Sequence, residues 1–197
     1  MLLPKPEIIG LCSPSMGSGK TTTALILDHD WGYVRVRFAD TLKAMVRELL
    51  VAAQIPYRDI QRHIDGDLKE VPLAVLGGKT PRQAMQTLGT EWGRKMVQTN
   101  LWVDITMARV DALLKEGECV VIDDMRFPNE ADAIRNRAGW LVGVQREEAK
   151  ITSVHESEGA LEGFKLHKVL QNYGDIDDLE YSVTRWMRHF RHDLKHI

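Results

Sequence analysis

The sequence predicts an α/β fold in which helices cover both faces of a mostly parallel sheet of five strands. Two observations lead to this prediction: short apolar runs alternate with helical stretches, and a glycine-rich turn ending in Gly-Lys-Thr directly follows the first apolar run. Alternation of this kind predicts parallel strand pairing with right-handed crossovers. The chain has 197 residues and no low-complexity linker, so a single domain over residues 1–197 is expected.

Five apolar runs are expected to form the strands of this sheet. They are residues 8–12, 33–38, 120–122, 141–144 and 169–170. Two of the runs contain, or directly follow, the cysteines of the chain, Cys12 and Cys119. Both are expected to be free, buried thiols, because two cysteines in an otherwise ordinary composition do not make a disulfide framework.

Helical segments are expected between the strands. The first passes through residues 24–27, and the second begins at Asp40 and buries one face. That face is formed by apolar residues spaced three and four apart, namely Leu42, Met45, Val46, Leu49 and Leu50. A third helix is predicted over residues 129–138, with Gly139 as its C-terminal stop. The segment 54–100 interrupts the alternation and is expected to be a helical insertion at the C-terminal edge of the sheet, where ligands bind.

Composition and charge argue against several classes of protein. A net charge of -2 is atypical of a protein that mainly grips a nucleic-acid backbone. No apolar run approaches the roughly 18 residues that span a membrane, and the N-terminus lacks a signal-peptide pattern. A basic, histidine-rich tail after residue 184 either contacts a polyanion or forms the solvated end of a last helix. We therefore expect a cytoplasmic protein that acts on small molecules.

Residues 14–21 have the sequence P-S-M-G-S-G-K-T between a strand and a helix, which is the context of a phosphate-binding P-loop. Backbone N–H groups of such a loop surround a phosphate, and the helix N-terminus adds its positive dipole. Lys20 is expected to reach the β- and γ-phosphates of a nucleoside triphosphate, and the Thr21 hydroxyl to bind Mg²⁺. Pro14 replaces the first glycine of the pattern, so altered loop entry is expected rather than lost binding. The residues expected to hold the triphosphate are Ser15, Gly17, Ser18, Gly19, Lys20, Thr21 and Thr22.

Two carboxylates, Asp123 and Asp124, end the third apolar run. In P-loop proteins the strand beside the phosphate loop often ends in an aspartate that binds Mg²⁺, and either residue fits this role. Asp124 is taken as the metal ligand together with Thr21. Arg126 follows two residues later and is expected to contact the transferring phosphate. The alternative is a polar end of the strand with a surface ion pair.

A second polar cluster is predicted on a helix that Thr80 caps and in which Pro81 takes the first position. Arg82 then lies in the first turn, and Gln86 lies one turn further on the same face. A guanidinium in this place suits a second phosphate, and an amide suits the edge of a base. The alternative is a helix with polar residues on its surface.

The chain resembles the phage-type deoxynucleoside monophosphate kinases over nearly its whole length. The resemblance rests on blocks in the same order: G-S-G-K-T at 17–21, F-A-D-x-L-K at 38–43, T-P-R-x-x-M-Q-x-L-G-T-E-W-G-R at 80–94, L-W-V at 101–103, D-D-M-R-F-P-N-E-A at 123–131, H-x-S-E at 155–158 and Q-N-Y-G at 171–174. It implies the three-layer sandwich of P-loop kinases and the transfer of the γ-phosphoryl group of ATP, with Mg²⁺, to a deoxynucleoside 5′-monophosphate. It also implies the host cytoplasm as the location if the chain is encoded by a phage.

The resemblance further implies the site residues. Catalysis is assigned to Lys20, Arg82, Asp124 and Arg126. Arg146 is expected to contact ATP and to begin a lid over residues 146–162 that contains His155, with a solvated loop as the alternative. The acceptor nucleotide is expected at the insertion 54–100 and nearby residues, namely Asp40, Lys43, Arg82, Gln86, Glu91, Trp92, Arg94 and Glu158. Trp92 and Trp102 are interpreted either as core aromatics or as platforms for the base.

Two other functions stay open at this point. One is a kinase that phosphorylates hydroxymethylated bases in DNA, which the net charge disfavours and the basic tail leaves open. The other is a nucleotide-binding regulator without turnover, which the presence of Lys20 together with Arg82 and Arg126 disfavours. The accepted base is not apparent from the sequence, and a homodimer stays open.

Overall fold

The computed structural model describes residues 3–14, 17–146 and 165–190. Its strands are β1 (Ile8–Cys12), β2 (Tyr33–Val36), β3 (Cys119–Ile122), β4 (Trp140–Arg146) and β5 (Lys168–Asn172). Its α-helices are α1 (Lys20–Trp31), α2 (Asp40–Ala52), α3 (Tyr57–Asp65), α4 (Pro81–Gln86), α5 (Leu101–Lys115), α6 (Pro128–Arg135) and α7 (Ile176–Met187). A 3₁₀ turn (Ala74–Leu76) precedes α4, and a π-helix (Thr87–Val97) follows it.

The strands form one sheet in the order β2-β3-β1-β4-β5, and every pair in it is parallel. All five residues of β1 are buried, because this strand lies at the centre of the sheet and is covered on both faces. The predicted five-stranded parallel sheet is therefore confirmed. Strand β2 ends at Val36, two residues before the predicted end, because the chain turns at Phe38 to enter α2.

Helices cover both faces of this sheet, as predicted. Ile9 and Leu11 of β1 pack into a core with residues of α1 and α7, such as Leu27 and Val183. Successive strand residues point to opposite faces, so Gly10 faces the other side. There a β-carbon on Gly10 would lie 2.6 Å from Cδ1 of Ile134 in α6.

The described residues divide into two compact units. The first unit comprises the described residues up to Arg37 and those from Met107 onward, and the second unit is Phe38–Thr106. The predicted insertion 54–100 lies within the second unit, while residues 147–162 of the predicted lid lie outside the described residues. The single-domain organisation stays a prediction. No helix of the described residues is long and apolar enough to span a membrane, and the cytoplasmic location stays a prediction.

The predicted buried face of α2 is wrong at two positions. Val46 and Leu50 are buried, but Met45 is 38% and Leu49 is 47% exposed. In the second unit α2 packs against α3 and α4 through a narrow stripe, in which Val46 and Leu50 meet a small core that includes Ile60. One helix turn separates Val46 from Leu50, so the neighbouring apolar positions fall outside the stripe.

The end of α6 differs from the prediction in its bounds and in the role of its glycine. The helix ends at Arg135, and Ala138 takes the left-handed conformation with φ of 56°. The Gly139 N–H donates to the carbonyl oxygen of Ile134 at 3.0 Å. A β-carbon on Gly139 would lie 2.8 Å from the same oxygen, so glycine is required here for space rather than for its φ.

Of the two free cysteines, Cys12 is buried and Cys119 is only partly buried, at the start of β3. The prediction of free thiols is confirmed, and full burial is confirmed for Cys12 alone. Burial raises the pKa of the Cys12 thiol, and the nearby Lys20 ammonium partly opposes this shift.

The π-helix of the second unit packs against Trp102 of α5. The Trp102 indole N–H donates to the carbonyl oxygen of Gly89 at 2.8 Å, and the side chain is 4% exposed. A β-carbon on Gly93 would lie 2.5 Å from the Trp102 ring, so the helix backbone and the ring are in direct contact. Trp102 is thus a core aromatic, whereas Trp92 is 38% exposed with its ring centroid 6.2 Å from that of Trp102.

We predict that Gly93→Ala lowers the free energy of unfolding by about 1–3 kcal/mol, the usual cost of inserting a methyl group into a packed site. Gly89→Ala is the matched control in the same helix, because its β-carbon would meet only the flexible Leu42 side chain at 3.3 Å. Urea unfolding of both variants measures the difference. Equal losses would contradict the contact between Gly93 and the Trp102 ring.

Candidate active site

The phosphate loop connects β1 to α1, and its residues 17–21 are among those described. Gly17 and Gly19 both have a left-handed backbone, with φ of 72° and 105°. This conformation is costly for residues with a β-carbon, so the glycines of the motif are required by the loop itself. Gly19 is the N-cap of α1, and Lys20 is the first residue of that helix.

Asn172, the last residue of β5, holds the loop in place. Its side-chain amide donates to the carbonyl oxygen of Ser18 at 3.0 Å, and the bond is buried. A β-carbon on Gly19 would lie 2.8 Å from the Asn172 amide nitrogen and 2.9 Å from Leu179. Gly19 therefore satisfies two requirements, since it adopts a positive φ and it allows this close approach.

A cavity of about 420 Å³ borders the loop. Gly17, Gly19 and Thr22 line it from one side, and Arg146 and Asn172 line it from the other. The Arg146 guanidinium donates to the carbonyl oxygen of Gly174 at 2.8 Å. Four residues predicted to contact the triphosphate nucleotide thus line one cavity.

The acidic end of β3 contacts the phosphate loop through Asp123. Its Oδ2 accepts hydrogen bonds from the Thr21 hydroxyl at 3.2 Å and from the Arg35 guanidinium at 2.5 Å. The Asp123 side chain is 3% exposed and that of Arg35 is 22% exposed. The second oxygen, Oδ1, is buried and has no hydrogen bond with any described residue. A nearly buried carboxylate thus has one oxygen paired with Thr21 and Arg35 and a second oxygen without a hydrogen bond to a described residue.

The sheet order explains why these residues meet. β2, β3 and β1 are neighbours, and Arg35 lies in register with Val121 just before the end of β3. Parallel strands bring their carboxyl ends to one edge. Arg35 was not among the site residues predicted from the sequence. The available signal was a lone cation in the apolar run Tyr33–Val36, since a partly buried charge needs a partner.

The turn after β3 is fixed by Glu130, which the sequence analysis also missed. Glu130 is 2% exposed, and its Oε2 accepts the backbone N–H groups of Arg126 at 2.7 Å and Phe127 at 3.0 Å. Proline followed two residues later by glutamate at the start of α6 was the available signal. The Arg126 side chain is exposed and Asp124 is partly buried.

The second unit contains the predicted acceptor residues. The Thr80 hydroxyl accepts from the Gln83 N–H at 3.2 Å, and the Gln83 side chain accepts from the Thr80 N–H at 3.0 Å. This capping box, with Pro81 at the first position, confirms the predicted start of the helix. Arg82 follows in the first turn, and its Nε forms an ion pair with Glu70.

Other predicted acceptor residues lie on either side of Arg82 in the chain. Asp40 is the first residue of α2, and the Lys43 ammonium donates to Asp65 at 2.6 Å. Gln86 is the last residue of α4, so it lies one turn after Arg82 as predicted, and it is exposed. Glu91 pairs with Lys95 at 3.0 Å on the surface of the π-helix.

Three predicted site residues, Ser15, His155 and Glu158, lie outside the described residues. Arg94 is partly buried in the π-helix. A π-helix has a wider turn than an α-helix, so the side chains after Gln86 do not follow α-helical spacing. Within the described ranges, no group of three or more His, Cys, Asp or Glu side chains is arranged to hold a metal ion.

Comparison with known proteins gives the family of the chain. Residues 68–183 match the deoxynucleotide monophosphate kinase family. A putative deoxynucleotide monophosphate kinase of Acanthamoeba polyphaga mimivirus is 32% identical over 178 residues, which cover 83% of this chain and 86% of that protein. The deoxynucleoside-5'-monophosphate kinase of Escherichia phage T5 is 30% identical over 112 residues, which cover 53% of this chain and 44% of that protein.

Among solved structures, the dephospho-CoA kinase from Campylobacter jejuni is similar with a TM-score of 0.42 at 12% identity, over 92% of this chain and 96% of that one. The sequence matches, which extend over more than half of the chain, agree with the motif blocks from which the family was predicted. The chain belongs to the deoxynucleotide monophosphate kinase family.

Proposed function

We propose that the chain transfers the γ-phosphoryl group of ATP to a deoxynucleoside 5′-monophosphate and so forms the diphosphate. The observation that carries this proposal is the hydrogen bond between Thr21 and Asp123, which joins the phosphate loop to a buried carboxylate. Together with membership of a kinase family, this pairing supports a site that holds a triphosphate and its metal ion rather than a passive nucleotide-binding surface.

The first unit supplies the groups for the donor nucleotide. The Lys20 backbone begins α1, where N–H groups and the helix dipole favour an anion, and its side chain adds a positive charge. The cavity between Arg146 and the loop has the size of a small-molecule site and borders the same phosphate-binding residues. We therefore assign the triphosphate to the loop and the rest of the ATP molecule to this cavity.

The side chains at the end of β3 fit a magnesium ion. Mg²⁺ prefers oxygen ligands, and the Thr21 hydroxyl lies beside Asp123, whose Oδ1 is buried and has no hydrogen bond with a described residue. A bound Mg²⁺ would neutralise charge on the β- and γ-phosphate oxygens. We assign Asp123 to this ion, directly or through water, while the role predicted for Asp124 stays a prediction.

The second unit supplies cations for the acceptor phosphate. Arg82 offers a planar fork that matches a phosphate, and it is 38% exposed in its ion pair with Glu70. An exposed pair of this kind contributes at most about 1 kcal/mol, so a phosphate can replace the Glu70 carboxylate at small cost. We assign Arg82 and Lys43 to the acceptor phosphate.

Phosphoryl transfer requires these residues to position the two nucleotides and to compensate the negative charge of the transferring group. The transferring phosphoryl group carries its negative charge on its outer oxygens, which Lys20 and Arg126 would stabilise. The acceptor monophosphate already presents an anionic oxygen, so no general base is required. Exclusion of water would prevent hydrolysis of ATP from competing with transfer.

We predict that the chain, incubated with ATP and Mg²⁺, converts at least one member of a panel of deoxynucleoside monophosphates to the diphosphate. Lys20→Ala should lower this turnover by about 10²–10³-fold, the usual loss when one group that stabilises developing charge is removed. The panel, with the ribonucleotides included, is analysed by anion-exchange chromatography. Lys115→Ala, at an exposed position at the end of α5, is the control and should retain full activity.

Two outcomes would contradict the proposal. One is ATP hydrolysis that is independent of every monophosphate, and the other is turnover of Lys20→Ala above a tenth of the wild-type value. Incorporation of labelled phosphate into DNA instead of into free nucleotides would favour the kinase that acts on DNA bases. An unchanged unfolding curve for Lys20→Ala ensures that lost activity is not lost folding.

We predict that Arg82→Lys lowers kcat/KM for the monophosphate by about 10- to 100-fold, because a charge-assisted hydrogen bond contributes roughly 1.5–3 kcal/mol. A lysine keeps the charge but cannot form the bidentate fork. The KM for ATP should stay within about twofold. Steady-state kinetics with each substrate varied in turn measures both values. Arg58→Lys is the control, since the Arg58 side chain is 87% exposed and its pair with Asp59 is long, at 3.8 Å.

A larger loss on the ATP side would show that Arg82 serves the donor phosphates. The acceptor phosphate would then have to be assigned to another arginine, with Arg94 and Arg126 the next candidates.

A further inference from the structure

The segment 65–70 of the second unit contains the ion-pair partners of the two cations assigned to the acceptor phosphate, Lys43 and Arg82. At its start, Asp65 accepts from the Lys43 ammonium at 2.6 Å. At its end, Glu70 forms the ion pair with Arg82, and the carbonyl oxygen of Lys69 accepts from the Arg82 backbone N–H at 3.1 Å. Lys69 is thus anchored beside Arg82, within the segment that also reaches Lys43.

The side chain of Lys69 is only partly exposed, and no hydrogen bond or ion pair joins its ammonium to another described residue. The environment lowers the pKa of Lys69: burial is the largest cause, followed by the positive charges of Arg82 and Lys43. The carboxylates of Asp65 and Glu70 oppose this shift without cancelling it. The positive charges of Arg82 and Lys43 therefore act on an ammonium that has no paired carboxylate among the described residues.

A bound anion would stabilise a partly buried ammonium of this kind. Surface lysines usually extend into water, where like charges are screened, whereas Lys69 stays partly buried beside Arg82. A phosphate monoester carries about two negative charges at neutral pH and three strong acceptor oxygens, so one phosphate can accept hydrogen bonds from more than one cation. Groups whose pKa is shifted both by burial and by specific neighbouring charges cluster at functional sites.

We propose that Lys69 binds the 5′-phosphate of the acceptor nucleotide together with Arg82 and Lys43. This inference rests on the proposed function, which places a monophosphate at Arg82. It adds a substrate-binding residue outside every motif block of the sequence, because residue 69 lies between the blocks 38–43 and 80–94. Glu70 and Asp65 then act as the partners of the flanking cations while no phosphate is bound.

The test compares a deoxynucleoside monophosphate with the matching deoxynucleoside, which lacks the phosphate. Binding of both to the full chain is measured by calorimetry without ATP, with a monophosphate that the wild-type chain phosphorylates. Lys69→Met should weaken binding of the monophosphate by about 10- to 100-fold and leave binding of the deoxynucleoside unchanged. Lys69→Arg keeps the charge and should retain most of the affinity.

Lys79→Met is the matched control, because Lys79 is an exposed lysine of the same unit that forms hydrogen bonds to described residues through its backbone alone. It should bind both ligands within about twofold of wild type. Equal losses of nucleotide and nucleoside affinity in Lys69→Met would overturn the proposal, since they indicate a structural role. Unchanged nucleotide affinity would overturn it as well. If Lys69→Met does not fold, the same comparison with Lys69→Gln decides.

Failure of this inference differs from failure of the proposed function. If the wild-type chain phosphorylates no monophosphate, both the proposed function and this inference are wrong. If the wild-type chain is active and the affinity for the acceptor is lost in Arg82→Lys but kept in Lys69→Met, only the role of Lys69 is wrong.

Discussion

A buried carboxylate at the end of β3 is the constraint on which the candidate site depends. Removing Asp123 from water is costly unless its charge is paired. Arg35 and Thr21 both donate to the same oxygen, so the pairing that offsets this cost also connects the phosphate loop to the sheet. Because the second oxygen has no partner among the described residues, the pairing is incomplete in a way that suits a metal ion.

The order of the strands places this carboxylate and a second anchor on opposite sides of the loop. The loop follows the central strand β1, with β3 as one neighbour and β4 then β5 on the other side. Asp123 reaches Thr21 from the β3 side, and Asn172 at the end of β5 bonds to the carbonyl oxygen of Ser18. A loop rich in glycine loses much conformational entropy when it is ordered, and these two contacts help to offset that loss.

The sequence allowed the fold and the loop to be predicted because both depend on local patterns. The apolar runs predicted the strands, and Gly-Lys-Thr after the first run predicted the phosphate loop. Arg35 was missed because its role comes from its pairing with Asp123, 88 residues further along the chain. The exposed Met45 of α2 shows the same limit, since helical spacing gives the direction of a side chain but not the width of the surface that covers it.

In the proposed function, Asp123, held by Arg35, serves the metal ion of the bound triphosphate. This role is tested most directly by calorimetric binding of a non-hydrolysable ATP analogue, with and without Mg²⁺, to wild type, Asp123→Asn and Asp124→Asn. We expect Asp123→Asn to lose the gain in affinity from Mg²⁺ and Asp124→Asn to keep it. Loss of that gain in Asp124→Asn, with a wild-type gain in a folded Asp123→Asn, would contradict this role.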